Sequence, residues 1–121
     1  MLDQTVIRNI LELLYTMQEA FDYMRERMEA LETETVIGVL HDTIEAFFAI
    51  ENSIIFMSPD IAAGRIGNGN EKLKEAFSMM VKFYEENDAG KALEFMKTSL
   101  EPVFAEWKSM MEDELIPYVM S

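Results

Sequence analysis

The sequence predicts an all-α fold: an antiparallel up-down four-helix bundle with a longer connection between helices 2 and 3. Three observations lead there. First, Ile7, Ile10, Leu14, Met17, Phe21, Met24, Met28 and Leu31 follow an unbroken 3-4 spacing, the heptad rhythm of a helix that lies along other helices. Second, that rhythm then requires apolar residues at 35, 38, 42 and 45, where the chain has Thr35, Gly38, Asp42 and Glu45. The first stripe therefore stops, and the chain turns. Third, separate apolar stripes follow, through Leu40, Ile44, Phe47, Ile50 and Ile54, through Leu73, Phe77, Met80 and Tyr84, and through Leu93, Met96, Leu100, Val103, Trp107 and Met110.

The first helix is expected from about Asp3 to Leu31, with Asp3 or Thr5 as its cap. A tight turn near residues 32–34 makes helices one and two an antiparallel pair, with Thr33 or Thr35 capping the second. The second helix runs to about Met57. Its last half is apolar nearly all round, which a surface helix should not be. That end is therefore either the most enclosed part of the bundle or covered by another chain.

Ser58-Pro59-Asp60 reads as N-cap, N1 and N2 of a short helical turn that Gly64 can end. Arg65-Ile66-Gly67-Asn68-Gly69-Asn70 reads as a loop, with Asn70 capping a third helix over about Glu71 to Glu86. This third helix is expected to be the shortest. Asn87-Asp88 stops it and caps a fourth, from about Ala89 toward Tyr118. Pro102 lies inside that helix and should kink it, and Pro117 should end it.

The bulk properties place the chain among single domains, here residues 1–121. Half of its residues are hydrophobic, and 5 Gly and 3 Pro are far from a disordered composition. There is no cysteine, hence no disulfide framework or thiolate chemistry, which fits a reducing cytoplasm. The N-terminal residues carry no basic, signal-like pattern, and no apolar run approaches the ~20 residues that span a bilayer, so a soluble protein is expected. The net charge of −13 would repel nucleic acid and anionic membranes. The acidity is uneven: residues 1–60 carry 12 acids and 3 bases. This makes a solvated acidic surface, or a face that steers a basic partner.

Chemistry is thinly represented. A carboxylate-bridged di-metal site needs two Glu-x-x-His motifs, and the single histidine, His41, has Gly38 three residues before it. No phosphate-cradling loop, nucleophile elbow or basic stripe is present. His41 and Glu45 form an i,i+4 pair beside Asp42, with Glu51 further along, and a metal or small-ligand site could only centre there. An ordinary helix-surface ion pair is the simpler account of them. Glu51 falls on the seam of the second helix, so it is either buried and paired or exposed. Glu114 extends the seam of the fourth helix toward its frayed end. Methionine is over-used, 11 in 121 residues, mostly on the stripes. In Met79-Met80 and Met110-Met111 only one member of each pair can face the core.

The stretch Asn87-Asp88-Ala89-Gly90-Lys91-Ala92-Leu93-Glu94, leading to Leu100-Glu101-Pro102-Val103-Phe104-Ala105-Glu106-Trp107, resembles the C-terminal helix of small acidic helical proteins of unknown function from Gram-positive bacteria. The resemblance implies a helical fold and no activity. The general layout is similar to that of flagellar export chaperones, acidic bundles that hold a partner's helices.

The expected function is non-enzymatic: an interaction or structural protein that forms a homodimer and needs no cofactor. Phe48, Ile55, Phe56 and Met57 at the end of helix two, with Ile61 and Ile66 beyond it, are the expected contact surface, rimmed by acids. A second reading is a chaperone-like adaptor that receives a basic amphipathic helix. A third is a metal- or ligand-binding protein around His41, Glu45 and Glu51.

Overall fold

The Asp3 carboxylate accepts hydrogen bonds from the backbone N–H groups of Thr5 (2.8 Å) and Val6 (3.3 Å) and so starts helix α1, Gln4–Glu29. The computed structural model describes residues 2–120, all-helical with no strand among them; Met1 and Ser121, the ends of the expected domain, lie outside the described residues. Every member of the first stripe from Ile7 to Met28 is buried. Leu31 is not. The helix has already ended at Ala30, and Leu31 takes a left-handed backbone (φ 62°), 86% exposed. The N–H groups of Leu31 and Glu32 turn back to the carbonyls of Met28 and Arg27, the hydrogen-bond pattern that closes a helix on a left-handed residue.

A 3₁₀ turn at Thr33–Thr35 leads into α2, Val36–Met57. The expected threonine caps do not form. Thr35 is itself helical, and its hydroxyl donates to the Glu32 carbonyl instead, so the 3₁₀ turn runs straight into α2 without a cap. Ser58 then accepts from the Ile61 N–H and starts the short α3, Pro59–Ala63.

The expected loop at 65–70 is helical. The helix α4 spans Arg65–Glu85, 21 residues, so it is nearly as long as the 22-residue α2 and not the short element expected. The reason is tertiary. A Cβ on Gly67 would lie 2.7 Å from the Ala62 carbonyl oxygen, and one on Gly69 would lie 3.3 Å from Cδ1 of Trp107. These glycines let the first turns of α4 press against α3 and the last helix; they are points of close approach and not breaks. Asn70 is no cap. Its side chain is buried, and its Oδ1 accepts from Nε1 of Trp107 at 2.7 Å.

Asn87 (φ 55°) closes α4 as Leu31 closes α1, and Asp88 accepts from the Lys91 N–H to start α5, Ala89–Phe95. A π turn over Met96–Leu100 joins α5 to α6, Glu101–Leu115, without a break in helical backbone. Pro102 sits just after it. The proline ring crowds the carbonyl four residues back, and the wider i→i−5 turn, seen in the bond from the Glu101 N–H to the Met96 carbonyl, relieves this locally. The wider turn also shifts the inward face. Phe104 and Met111 are buried where Val103 and Met110 are expected, and the latter two are only partly covered. Ile116–Tyr118 forms a last 3₁₀ turn at Pro117.

Aromatic rings from α1, α2, α4 and α6 converge at the centre. Phe21 packs on Phe104 (centroids 4.4 Å) and Phe77 (6.2 Å), while Phe47 meets Phe77 (5.8 Å) and Trp107 (5.3 Å). Helix α1 lies along α2, and α4 lies along α6, whereas α2 and α4 touch only briefly. Arg25 on α1 ties the π-turn region to the domain through Glu101, and Lys97 bonds Glu29 at 3.2 Å. Burial nonetheless pushes the Glu101 carboxyl above the usual range, against the pull of Arg25.

Candidate protein-interaction surface

Helix α2 has two contrasting faces. Val36, Leu40, Thr43, Phe47, Ile50 and Ile54 turn inward, with the Thr43 hydroxyl satisfied by the Val39 carbonyl at 2.7 Å. Glu51 is buried on the α4 side. Its Oε2 lies 2.8 Å from Nζ of Lys74, the ammonium that also reaches Glu71 at 3.4 Å. The hydrogen bond that Lys74 donates to Glu51 raises the Lys74 pKa above its ordinary value, against some desolvation. Glu51 is thus the paired seam carboxylate, and its charge is used inside the protein.

The outward face of the same helix is apolar toward its C-terminal end. Phe56 is 93% exposed, Ile55 49% and Phe48 44%. The Phe48 ring rests edge-on against Phe47, which holds it in place. Ala49 and Asn52 lie between these large residues and are exposed too. Across residues 46–58 the only charged side chain is the buried Glu51. Asp42 and Glu45 before this stretch, and Asp60 after it, are exposed.

Two clefts flank the face. The first, between α2 and α4, has a volume of about 480 Å³ and is lined by Ile44, Phe47, Phe48, Phe77 and Val81, with Lys74, Ser78 and Glu85 at its polar edge. It exists because α2 and α4 diverge. The second, about 580 Å³, lies between the start of α1 and the end of α2 and is lined by Asp3, Val6, Asn52, Ser53, Phe56 and Met57.

The expected contact residues separate accordingly. Phe48, Ile55 and Phe56 lie together on the outer face. Met57 and Ile61 are partly buried against the core. Ile66 leaves the expected surface altogether: it is 1% exposed, because residues 65–70 are the first turns of α4 and Ile66 is a core position there. The members of the expected metal reading do not come together. His41 and Glu45 point to solvent while Glu51 is committed to Lys74, and no group of three or more potential metal-ligating side chains (His, Cys, Asp or Glu) occurs among the described residues. Sequence reasoning passed over Ala49, Asn52 and the cleft-lining role of Ile44. The spacing 48, 52, 55 and 48, 49, 52, 56 marks one helical face and was the available signal.

A family model described as a domain of unknown function (DUF8042) matches residues 5–110. The chain belongs to that family. The DUF8042 match takes in α1 from Thr5 on, α2 to α5 and most of α6, including the whole outer face of α2 and the lining of both clefts except Asp3. No curated protein and no solved structure matches the chain. No helix among the described residues is long and apolar enough to cross a membrane.

Proposed function

We propose that this DUF8042 chain is a non-enzymatic protein-interaction module of the cytoplasm. In this reading the long helices form an antiparallel up-down four-helix bundle, and the C-terminal half of α2 is its working surface. One observation carries the reading. A fully exposed phenylalanine, Phe56, stands beside Ile55 and near Phe48 on a face that presents no charge over residues 46–58, in a chain of net charge −13. Exposed apolar residues scattered singly need no explanation, but a grouped set between two apolar clefts is the mark of a covered surface. Burying the outer face would remove two aromatic rings and an isoleucine from water, the anchor type that dominates protein interfaces. The exposed acids at its two ends, Asp42, Glu45 and Asp60, make the polar rim.

The test is a photo-crosslinking residue placed at position 56 in the protein's own cells. A discrete protein adduct, lost when the same residue is moved to an α1 surface position such as Glu12, supports the reading. Absence of any protein adduct at 56 overturns it.

A second reading is favoured by the cleft between α2 and α4. Its apolar floor of Ile44, Phe47, Phe77 and Val81, with Glu85 at one edge, suits an amphipathic helix carrying basic residues. Salt-sensitive binding of a basic amphipathic peptide, abolished by Val81→Glu, supports this adaptor role. Equal binding to wild type and variant overturns it.

A further inference from the structure

The charge distribution and shape of α2 name the partner. We infer that the outer face of α2 packs against the same face of a second copy of this chain, antiparallel, about a two-fold axis at Asn52. The inference rests on the interaction reading above and commits it to one occupant.

Charge comes first. Two copies at −13 each repel over most of their surfaces, so self-association requires a contact region free of exposed charge. Residues 46–58 supply one, because Glu51 is turned inward and neutralised by Lys74 at 2.8 Å. No other stretch of the chain runs as far without a charge at the surface.

Shape comes second. In an antiparallel pair of helices with a two-fold axis at position 52, residue 52 − n lies level with residue 52 + n of the other copy. Phe48 and Phe56 are level partners, and so are Ala49 and Ile55. Phe48 lines the cleft on the α4 side and Phe56 the cleft on the α1 side; at about 100° per residue Ile55 falls on the Phe48 side of Asn52, and Ala49 on the Phe56 side. A two-fold that reverses the helix keeps each side in place. Phe56 of each copy therefore comes down over the small Ala49 of the other, and Ile55 comes against Phe48. Large residues meet a hollow, and the hollow is filled twice by symmetry, as an isologous contact demands. A parallel pairing would instead set Phe56 on Phe56 and Ala49 on Ala49, leaving a gap between the two rings, and would align the helix dipoles unfavourably. Small residues at the centre, Ala49 and Asn52, allow the axes to approach to about 8–10 Å. The clefts on either side bring α1 and α4 into the contact as well, widening it beyond a single helix face.

The chain has no cysteine, so introduced thiols report the geometry cleanly. Light scattering on the full chain at micromolar concentration should give a dimer. Phe56→Glu should give a monomer with unchanged helical circular dichroism, since Phe56 is 93% exposed and supports nothing inside its own subunit. Asn52→Cys should crosslink two copies on mild oxidation, the thiols lying at the axis within reach of a disulfide. Phe56→Cys should not, because the two positions 56 stand roughly 12 Å apart along the helix direction. The double variant Ala49→Cys/Phe56→Cys should crosslink between copies. A monomer at micromolar concentration overturns the inference, as does a dimer that crosslinks through Phe56→Cys and not through Asn52→Cys. If the chain is monomeric yet a photo-crosslinker at position 56 attaches to a different protein, the self-pairing is wrong and the interaction reading stands. If neither forms, both fall.

Discussion

Nε1 of Trp107 donates to Oδ1 of Asn70 at 2.7 Å in the buried contact between α4 and α6. An indole N–H enclosed among apolar side chains needs an acceptor, and Asn70 is the one provided. Asn70→Leu keeps the volume and removes the acceptor, so it should destabilise the domain by about 1–3 kcal/mol. Trp107→Phe on top of it should cost less than the sum of the two single changes, because the second change removes the stranded donor. Urea unfolding followed by circular dichroism checks both. Additive effects would show that the pair is not coupled.

Lys74 holds the Glu51 carboxylate at 2.8 Å, and the two are unequally exposed: the Lys74 side chain keeps 33% of its surface in water and Glu51 only 10%. Removing the lysine strands the more buried partner. Lys74→Met should therefore destabilise by about 3 kcal/mol, the scale of a broken buried pair. Glu51→Gln should cost distinctly less, since Lys74 retains water and Glu71. Chemical denaturation of the two variants side by side gives the ranking, and the reverse order would contradict the burial asymmetry.

Tyr84 carries a buried hydroxyl that has no hydrogen-bond partner among the described residues, and burial pushes its phenol up to about 12 from an ordinary 10. The unfolded chain ionises this phenol first. The stability linked to it is fully present below pH 10 and is lost as the pH rises from there through about 12. Lys74, also raised, acts in the same direction: its contribution is intact below 10.5 and is lost as the pH climbs past its folded value. Alkali should therefore weaken the fold. Tyr84→Phe should be at least as stable as wild type at neutral pH, should resist alkali better, and should abolish the tyrosinate absorbance step near pH 12.

Leu31 adopts a left-handed backbone with 86% of its surface exposed. A branched side chain gains little there and strains the backbone by about 1–2 kcal/mol. Leu31→Gly should raise the thermal midpoint, partly offset by the greater freedom of glycine in the unfolded chain. A lowered midpoint would mean that Leu31 packs against something in solution.

These residues also show what could be read from the chain without its structure. The α1 stripe was fully legible from Ile7 to Met28, because one uninterrupted helix buries one face and local spacing suffices. Asp3, Ser58 and Asp88 were legible as caps for the same local reason. Residues 65–70 were not. Two glycines and two asparagines have loop propensity, and only Trp107, thirty-seven residues away from Asn70, explains why they are helical. The inward face after Leu100 was displaced because a π turn leaves no mark in hydropathy. On the candidate surface, the exposed cluster at Phe48, Ile55 and Phe56 followed from the excess of apolar residues in α2, while Ile66 was misplaced with the loop that contained it. Glu51 could be singled out as a seam carboxylate, but its partner on α4 required the packing.

The π turn has a bearing on the chain's length. It accommodates one residue more than an α-helix would between Phe95 and Glu101. The rest of the last helix therefore faces the way it would if the chain were one residue shorter here. Deleting Thr98, which is exposed within the turn, should let a regular helix form while Phe104 still meets Phe21 and Trp107 still meets Asn70. Helical circular dichroism and tryptophan fluorescence should both be retained. A residue added at the same place finds no such slack: everything downstream should turn by about 100°, taking Trp107 away from Asn70. The segment is thus a slot already filled by one extra residue, open to shortening and closed to lengthening.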